Sequence, residues 1–306
     1  MVEILLATYN GEKYIRQQLD SILNQTYKDF KILIRDDGST DKTKDIIGEY
    51  QVNFPDKIKI IKDDLKCGSS ASNFMRLMEE SNADYVMFSD QDDFWLPFKI
   101  EKSLENIKYI EEKIGSDKPI LAYGNYVITD SNLRELEHND KKNQIYKHYN
   151  DLNHLLVQNY VTGCLMIINR ALCQKAGKFD TKILMHDHWL ALVGSIYGEV
   201  YHFNIDVMYY RQHSNNVVGA VNVKSFKYRI SKFFDKKTKK SLFSYKNQAE
   251  LLLNRYNDIP NDKRKVLCTF VELFSKKSKF RKIYILKKYG FLKSDFVRRL
   301  GEYWFI

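Results

Sequence analysis

The chain has 306 residues, a net charge of +10 and four cysteines that form no C-x-x-C pair. The scattered cysteines argue against both a disulfide framework and a zinc site, and they are typical of a reducing cytosol. The charge is uneven, because residues 221–306 contain 23 Lys or Arg against 7 Asp or Glu, a net charge of +16, whereas residues 1–220 sum to −6. We therefore expect a mildly acidic globular domain over residues 1–220 and a strongly basic region over residues 221–306.

Short apolar runs alternate with helical patterns over the first 90 residues. The predicted strands are Glu3–Thr8, Phe30–Ile34, Ile58–Ile61 and Tyr85–Phe88, and the predicted helices between them are Glu12–Asn24, a helix ending near Tyr50, and Ser72–Ser81. Such β-α alternation with short connections predicts an α/β fold whose mostly parallel sheet is covered by helices on both faces.

The second half of the globular domain continues with fewer, longer elements. The pattern predicts a helix over Pro97–Ile114, strands over Leu121–Ile128 and Cys164–Ile168, a helix over His188–Tyr197, and two short strands, Val200–Phe203 and Val207–Arg211. Residues 130–150 are polar and predict a loop. No run approaches the ~20 apolar residues that cross a bilayer. The N-terminal apolar run is too short for a signal peptide, so we expect a cytoplasmic protein.

Three acids directly follow the apolar strand Tyr85–Phe88, in the segment Asp90-Gln91-Asp92-Asp93. Ligands bind at the carboxyl ends of strands in open α/β sheets. Crowded carboxylates need a cation or must take up protons, and a hard divalent metal commonly accompanies a substrate phosphate. The segment therefore indicates metal-assisted chemistry on a phosphate ester. A solvated acidic turn before the helix near Pro97 is the alternative.

Further motifs follow the other strands in a fixed order. They are Ala7-Thr8-Tyr9-Asn10-Gly11, Asp36-Asp37-Gly38-Ser39, Gly68 with Asn73, Ser89-Asp90-Gln91-Asp92-Asp93-Phe94-Trp95, Thr162-Gly163-Cys164, His186-Asp187-His188-Trp189 and Arg211-Gln212-His213. This series resembles the inverting family 2 glycosyltransferases with a GT-A fold, in particular the bacterial rhamnosyltransferase type. The resemblance covers roughly residues 1–219. It implies a Rossmann-like mixed sheet, with a basic helical region appended.

The resemblance implies a nucleotide-sugar site along the strand ends. Its expected members are Thr8, Tyr9, Asn10, Asp37, Asn73, Asp90, Gln91 and Arg211. Tyr9 has the aromatic ring that stacks on a base, although a tyrosine in a turn is the structural alternative. Asp37 is expected to read the imide N–H of uracil or thymine, and the alternative is a charge at a helix N-terminus. Asp90 is expected to bind the ribose.

The same resemblance implies the metal and catalytic residues. Asp92 is expected to bind Mn²⁺ or Mg²⁺, with His213 completing the metal shell and Arg211 stabilising the departing diphosphate. A surface position for Arg211 and His213 is the alternative. Asp187 is the expected general base, because inversion needs one carboxylate to accept the proton of the acceptor hydroxyl. Capping of a helix is its alternative role.

Two further residues are expected near the acceptor. Gly163 would let the backbone approach the acceptor sugar, and Trp189 would either form the floor of that site or pack in the core. Trp95, by contrast, is expected to pack beneath the acidic loop.

The donor is expected to be a UDP- or TDP-sugar, with rhamnose favoured by the resemblance alone, and the acceptor a lipid-linked glycan. Residues 221–306 interleave cations with aromatic residues, a pattern that fits docking on an anionic membrane. Packing on the core and homodimerisation are the alternatives, and no nucleic-acid-binding motif appears. A nucleotidyltransferase and a non-catalytic binding module remain the rival functions.

Overall fold

The computed structural model describes residues 1–63, 66–136, 149–178, 180–213, 236–294 and 296–306. The strands are β1 Val2–Thr8, β2 Phe30–Asp36, β3 Ile58–Ile60, β4 Tyr85–Ser89, β5 Phe94–Trp95, β6 Ile120–Thr129, β7 Met166–Asn169 and β8 Glu199–Arg211. The helices of the first 213 residues are α1 Ile15–Leu23, α2 Thr43–Asn53, α3 Ser70–Glu80, α4 Lys99–Ile114, α5 Leu152–Leu155, α6 Arg170–Ala176 and α7 His186–Tyr197. The later helices are α8 Lys236–Arg255, α9 Asn261–Leu273, α10 Lys279–Tyr289 and α11 Phe296–Phe305.

The strands form one eight-stranded sheet in the order β3-β2-β1-β4-β7-β6-β8-β5. Strands β1 to β4 are parallel, whereas β7 is antiparallel to both of its neighbours. The predicted mixed, mostly parallel sheet is therefore confirmed. In its register, Thr8 lies opposite Asp36 and Leu6 opposite Ser89. The loops that follow β1, β2 and β4 consequently leave the sheet at the same edge.

The central strands are apolar because helices cover both of their faces. Ile4, Leu5 and Leu6 of β1 are completely buried, as are Val86 and Met87 of β4. This burial explains why these segments appear as continuous apolar runs rather than as alternating patterns.

The two short strands predicted over residues 200–211 are wrong, because the structure has one long strand, β8. It pairs in parallel with β6 along its whole length, with register shifts near Asn125. Its C-terminal half also pairs antiparallel with β5, where Phe94 lies opposite Tyr209. This second pairing brings the residues after β8 beside the acidic loop that precedes β5.

A smaller difference concerns the strand predicted over Cys164–Ile168. Residues Gly163–Leu165 form a 3₁₀ turn, and β7 begins only at Met166. The turn therefore holds the Thr162-Gly163-Cys164 motif at the end of the sheet.

The C-terminal helices pack on α6 and α7. The Tyr256 hydroxyl donates to the Lys175 carbonyl at 2.9 Å, and the Gln248 amide donates to the Lys182 carbonyl at 2.7 Å. The boundary predicted near residue 220 lies outside the described residues, as does the part of the basic, aromatic stretch 224–240 that precedes residue 236. Among the helices that are described, none combines the length and the apolar content of a bilayer span.

Candidate active site

The loop after β1 is joined to the acidic loop by the Gln91 side chain. Gln91 Oε1 accepts the Tyr9 N–H at 2.9 Å, and Gln91 Nε2 donates to the Tyr9 carbonyl at 2.9 Å. A Cβ atom on Gly11 would lie 2.2 Å from Gln91 Oε1, so this contact requires glycine. The amide of Gln91 thus binds protein backbone, whereas the Tyr9 ring is 58% exposed and open to a ligand.

Two residues of the first motif bind the loop after β2. The Thr8 hydroxyl donates to Asp36 at 2.9 Å, and Asn10 Oδ1 accepts the Thr40 N–H at 2.9 Å. Asn10 has φ of 49°, a left-handed conformation that asparagine tolerates better than most residues. These contacts connect the two strand ends.

Asp37 organises the loop that leads to α3. Its carboxylate accepts the N–H groups of Cys67 at 2.6 Å and Gly68 at 2.8 Å, and it pairs with Arg35 at 3.1 Å. A carboxylate has about four lone-pair sites, so three such contacts still leave one for a ligand N–H. Asp37 therefore lies just after β2 with three of its acceptor positions already used.

Arg35 is a site residue that sequence reasoning missed. Its guanidinium is 1% exposed and bonds to both carboxylate oxygens of Asp63 and to Asn73 Oδ1 at 2.9 Å. These acceptors raise the pKa of Arg35 above its ordinary value. Asn73 returns a bond from Nδ2 to the Arg35 carbonyl at 3.2 Å and is itself buried. The sequence predicts that Asn73 binds the nucleotide sugar, but in this structure its side chain hydrogen-bonds to Arg35 instead. An arginine inside the apolar run Phe30–Asp36 was the available signal.

The three carboxylates of the acidic loop differ in their exposure. Asp90 and Asp92 keep part of their surface exposed, whereas Asp93 is 1% exposed and its Oδ2 has no hydrogen-bond partner among the described residues. Burial, with the charge of Asp92 beside it, raises the pKa of Asp93 well above its ordinary value. Because a charged carboxylate with one unpaired buried oxygen is disfavoured there, we expect Asp93 to be protonated.

A buried lysine lies beneath these acids. Lys99 is fully buried at the start of α4, and its ammonium donates to the Cys164 carbonyl at 2.6 Å. The ammonium also lies 3.8 Å from the centre of the Trp95 ring, which is 1% exposed and packs as expected. Burial lowers the pKa of Lys99 to about 8. Lys99 therefore balances part of the negative charge of the loop from below.

Asp92 and His213 meet at the cleft. Asp92 Oδ2 lies 2.9 Å from His213 Nε2, and both side chains are partly exposed, at 20% and 12%. A carboxylate and an imidazole are ligands that Mn²⁺ accepts, and a carboxylate also suits Mg²⁺. The pair therefore fits a divalent cation.

A second group of potential ligand atoms is formed by Asp90, Asp93 and Cys164, which lie within 4.8 Å of one another. Burial raises the pKa of the Cys164 thiol well above its ordinary value, so it stays protonated. A neutral thiol and an internal carboxyl are poor ligands for hard cations. The Asp92–His213 pair therefore fits a divalent cation better than this group does.

The structure places Arg211 behind the site rather than at its surface. The side chain is 1% exposed and donates to the carbonyls of Asp92 at 2.9 Å and Ser131 at 2.6 Å and to Gln17 Oε1 at 2.8 Å. Its guanidinium lies 4.5 Å from the centre of the Tyr14 ring. Arg211, predicted to contact the diphosphate, thus positions the backbone of the acidic loop in this structure.

Asp187 lies in the first turn of α7, opposite the acidic loop. Its carboxylate accepts the N–H groups of His188, at 2.6 Å, and Gly163, and it also bonds the Asn159 side chain. Burial nevertheless raises the pKa of Asp187 to about 6. The charge of Asp187 is one of the causes that raise the pKa of Asp90 to about 7, after burial and the charge of Asp92. The fold has therefore brought the two predicted acidic motifs together.

Both histidines beside Asp187 are buried and neutral. His186 packs against the rings of Phe74 and Phe88, at centroid distances of 4.4 and 5.3 Å, and burial lowers its pKa to about 3. His188 Nε2 lies 2.8 Å from the Leu155 carbonyl, which only accepts, so that nitrogen carries the proton. Neither histidine faces the cleft as a charged group.

Gly163 lets α7 approach the 3₁₀ turn. A Cβ atom there would lie 2.6 Å from His186 Nε2 and 3.5 Å from the Asp187 Cβ. The sequence predicts that the acceptor sugar uses the space left by the absent side chain of Gly163. In this structure α7, which carries Asp187, lies against that space.

Trp189 is completely buried, so the packing alternative holds in this structure. Its indole N–H donates to the Ala176 carbonyl at 3.2 Å, and its ring stacks on Tyr256, which directly follows α8. The expectation that it forms the floor of the acceptor site is therefore not supported by its position.

A cavity of about 160 Å³ adjoins the Asp187 side of the cleft. Its lining includes Asn159 and Thr162, which flank Asp187, together with Tyr126, Tyr160 and Arg298 of α11. Polar groups and aromatic rings in one cavity are typical of small-molecule sites.

Comparisons with known proteins agree with this architecture. A family model described as glycosyl transferase family 2 matches residues 3–177. The dTDP-rhamnosyl transferase RfbG of Shigella flexneri is 32% identical over 229 residues, which are 70% of this chain and 74% of that protein. An uncharacterized glycosyltransferase of Rickettsia typhi is 29% identical over 204 residues, 64% of this chain and 60% of its own length.

Two solved structures share the fold. Staphylococcus aureus TarS 1–349 in complex with UDP-GlcNAc matches with a TM-score of 0.58 at 15% identity, covering 99% of this chain and 91% of that one. The mannosyltransferase PcManGT of Pyrobaculum calidifontis, in complex with GDP-Man and Mn²⁺, gives 0.59 at 15% identity, over 94% and 72%. The chain thus belongs to glycosyl transferase family 2 and is a glycosyltransferase with the GT-A fold.

Proposed function

We propose that the enzyme transfers a sugar from a dTDP- or UDP-sugar to a hydroxyl of a lipid-linked glycan, with inversion at the anomeric carbon. The observation that carries this proposal is the proximity of Asp187 to the acidic loop. Asp187 accepts the Gly163 N–H, and the carboxylates of Asp90 and Asp93 lie within 4.8 Å of the thiol of the neighbouring Cys164. One side of the cleft offers a base, and the other offers the groups that suit a nucleoside diphosphate.

In this proposal Asp187 removes the proton of the acceptor hydroxyl while that oxygen attacks the anomeric carbon. Asp187 is 8% exposed and has a pKa of about 6, so it is mostly ionised at neutral pH and still basic enough to accept a proton. The N–H groups of His188 and Gly163 fix the orientation of its carboxylate. Attack from this side, opposite the leaving group, inverts the configuration.

The donor would lie along the ends of β1, β2 and β4. The exposed Tyr9 ring offers a stacking surface for the base, and the remaining acceptor capacity of Asp37 suits the imide N–H of uracil or thymine. Asp90, which is partly exposed, would bind the ribose.

Asp92 and His213 would hold Mn²⁺ or Mg²⁺ at the diphosphate. When bound, the cation supplies Lewis-acid stabilisation of the leaving diphosphate. Arg211 contributes by fixing the Asp92 backbone from behind, and Tyr14 stacks against both Arg211 and His213. The protein thereby holds the carboxylate and the imidazole in place.

The acceptor would enter through the cavity lined by Asn159, Thr162 and Tyr126, because this cavity adjoins the base. Rhamnose is favoured as the transferred sugar because a rhamnosyltransferase is the relative that shares 32% of its residues over most of the chain. A lipid-linked acceptor gives the basic C-terminal region a role on an anionic membrane surface.

A donor-panel hydrolysis assay tests the proposal. Purified enzyme is incubated with dTDP-rhamnose, UDP-GlcNAc, UDP-galactose and GDP-mannose, with and without Mn²⁺, and the anomeric signal of the released sugar is followed by NMR. We expect metal-dependent release from a uridine or thymidine diphosphate sugar, with inverted configuration at early times. Release with retained configuration, or preference for the guanosine donor, would contradict the proposal.

A further inference from the structure

Two large aromatic side chains stand on the outer side of α10. Phe280 is 89% exposed and Tyr284 is 62% exposed, and they lie one helical turn apart, so they share one side of the helix. The opposite side packs inward through Leu286, which is completely buried. The helix therefore has a core side and a separate aromatic side.

Cations surround these aromatic residues. Lys277, Arg281, Lys287 and Lys288 are all exposed, and their spacing along the chain places them around Phe280 and Tyr284. Residues 276–306 as a whole contain ten Lys or Arg against two Asp or Glu, a net charge of +8. This surface, the α10 face, is defined by Lys277, Phe280, Arg281, Tyr284, Lys287 and Lys288.

Trp304 of α11 adds a third exposed aromatic at the same end of the helical region. It is 55% exposed, and Lys279 Nζ donates to its carbonyl at 3.2 Å and lies 4.8 Å from the centre of its ring. Lys279 directly precedes Phe280 in the chain. Tryptophan and tyrosine are enriched where a protein meets the boundary between water and lipid, because one end of each ring system is apolar and the other polar.

We infer that the α10 face, with Trp304 beside it, docks on an anionic lipid bilayer. Aromatic rings that enter the headgroup region and lysines that bind acidic lipids are the two components of such interfacial helices. The finding that no described helix suits a bilayer span is consistent with a helix that lies on the surface. The face would bind anionic phospholipid headgroups.

The charge disfavours a second copy of the chain as the occupant, because a two-fold interface would place this cationic face against itself. Lysine side chains lie over two of the exposed rings, since Lys288 Nζ is 5.8 Å from the Tyr284 centroid and Lys279 lies over Trp304. This arrangement disfavours the stacking of nucleic-acid bases on these rings. Lipid phosphates need only the cations and leave the ring edges free to enter the headgroups.

The position of this face connects docking with transfer. Helix α11 carries both the exposed Trp304 and Arg298, which lines the cavity beside Asp187. If the acceptor is lipid-linked, as the proposed function requires, docking would bring this cavity to the surface that holds the acceptor. The docking itself does not depend on that function.

Tryptophan fluorescence gives a direct test in the full chain. Of the three tryptophans, Trp95 and Trp189 are 1% and 0% exposed, so a bilayer reaches only Trp304. We expect brominated lipids to quench Trp304 in vesicles of phosphatidylcholine with about 30% phosphatidylglycerol, and pure phosphatidylcholine vesicles to have little effect. Sedimentation with these vesicles at about 0.05 and 0.5 M NaCl should show binding that salt weakens.

Paired variants locate the surface. We expect Phe280→Ser with Tyr284→Ser, and separately Arg281→Gln with Lys288→Gln, each to lower the vesicle partition coefficient at least about tenfold. The matched controls are Val52→Ser, which is 79% exposed on α2, and Lys108→Gln, which is exposed on α4. Both controls should bind as the wild type does. Circular dichroism melting verifies that all variants fold.

Three results would overturn the inference. They are wild-type protein that does not bind anionic vesicles, binding that survives both double substitutions, and binding of oligo-dT in place of vesicles. Donor hydrolysis measured on the same samples keeps the two proposals apart. Vesicle binding without hydrolysis of any donor would support the docking inference and contradict the proposed transfer reaction. Donor hydrolysis without vesicle binding would contradict only the docking inference.

Discussion

Asp92 Oδ2 and His213 Nε2 lie 2.9 Å apart although 121 residues separate them in the chain. The contact exists because β8 pairs with β5, so the residues after β8 return to the acidic loop. A carboxylate and an imidazole in hydrogen-bond contact at a cleft form a compact ligand pair for a divalent cation.

Replacement of His213 by alanine should weaken Mn²⁺ binding. Because the imidazole is one of two expected protein ligands, we expect the Kd for Mn²⁺ in the presence of dTDP to rise about 10- to 100-fold, comparable to losses on disturbing metal sites. Isothermal titration gives the constant. His154→Ala is the matched control, since His154 pairs with Asp151 on the surface. Equal Mn²⁺ affinity in His213→Ala and the wild type would remove His213 from the metal site.

Asp187→Asn should retain donor binding and lose catalysis. Asparagine keeps the shape of the side chain but accepts no proton at neutral pH, so donor hydrolysis should fall about 10²- to 10⁴-fold, the usual contribution of a general base. Titration with dTDP or UDP should give an unchanged Kd. Asp56→Asn, an exposed aspartate between α2 and β3, is the matched control. Hydrolysis at the wild-type rate would show that the base is elsewhere.

The pH dependence of hydrolysis should report the same carboxylate. Burial raises the pKa of Asp187 to about 6, and only its ionised form accepts a proton. We therefore expect the rate to rise with pH through about 6 and to level off above it. A pH series in buffers of constant ionic strength measures the profile, and a rate that is flat between pH 5 and 7 would contradict the assignment.

The raised pKa also predicts that Asp187 lowers the free energy of unfolding at neutral pH. Folded Asp187 retains its proton up to about pH 6, whereas the unfolded carboxyl loses it near 3.8, so folded protein binds more protons in that window. Stability from this group therefore falls as pH rises from about 4 to 6. The free energy of unfolding of Asp187→Asn should therefore increase relative to that of the wild type between about pH 4 and pH 6. Urea unfolding at these two pH values measures the difference. A stability difference that stays constant would argue against the shift.

Gly163→Ala should destabilise the site through backbone contact. The new Cβ would lie 2.6 Å from His186 Nε2, and both partners are buried, so we expect a loss of about 1–3 kcal/mol in the free energy of unfolding. Gly48→Ala in α2 is the matched control, because nothing lies within 4 Å of that Cβ position. Alanine there should stabilise by about 0.5–1 kcal/mol through helix propensity. Equal effects of the two substitutions in urea unfolding would contradict the predicted crowding at Gly163.

Gln91→Glu should separate the acidic loop from the loop after β1. The substitution places a carboxylate oxygen where Nε2 now donates to the Tyr9 carbonyl, so one bond becomes a repulsion. We expect the Kd for dTDP or UDP to rise at least about tenfold, since an unpaired buried or half-buried acceptor costs about 1–3 kcal/mol. Nucleotide titration measures this Kd, and unchanged affinity would show that the contact between Gln91 and the Tyr9 backbone does not shape the donor site.

Much of the fold was readable from local patterns. Continuous apolar runs such as Ile4–Leu6 and Val86–Phe88 predicted buried parallel strands, and the acids after them predicted a site at one edge of the sheet. The order of the motifs predicted the family, and the family model confirms it. The roles of the individual site residues remain predictions.

Other features depended on distant contacts. Asn73 is buried and Arg211 faces the loop from behind, although sequence reasoning expected both at the nucleotide sugar. For Trp189, where floor of the acceptor site and core packing were both open, the structure has core packing. Lys99 and Arg35 were missed because each is an ordinary cation until the fold buries it against carboxylates and carbonyls.

The sequence by itself therefore determined the alternation of elements, the family and the edge of the sheet where the acids gather. These follow from periodicity and from residue type, which are local properties. Only the tertiary structure decided which side chains face the cleft and that Asp187 meets Asp90, while His213 meets Asp92. Side-chain direction and burial arise from packing between segments far apart in the chain, and local spacing carries no information about that packing.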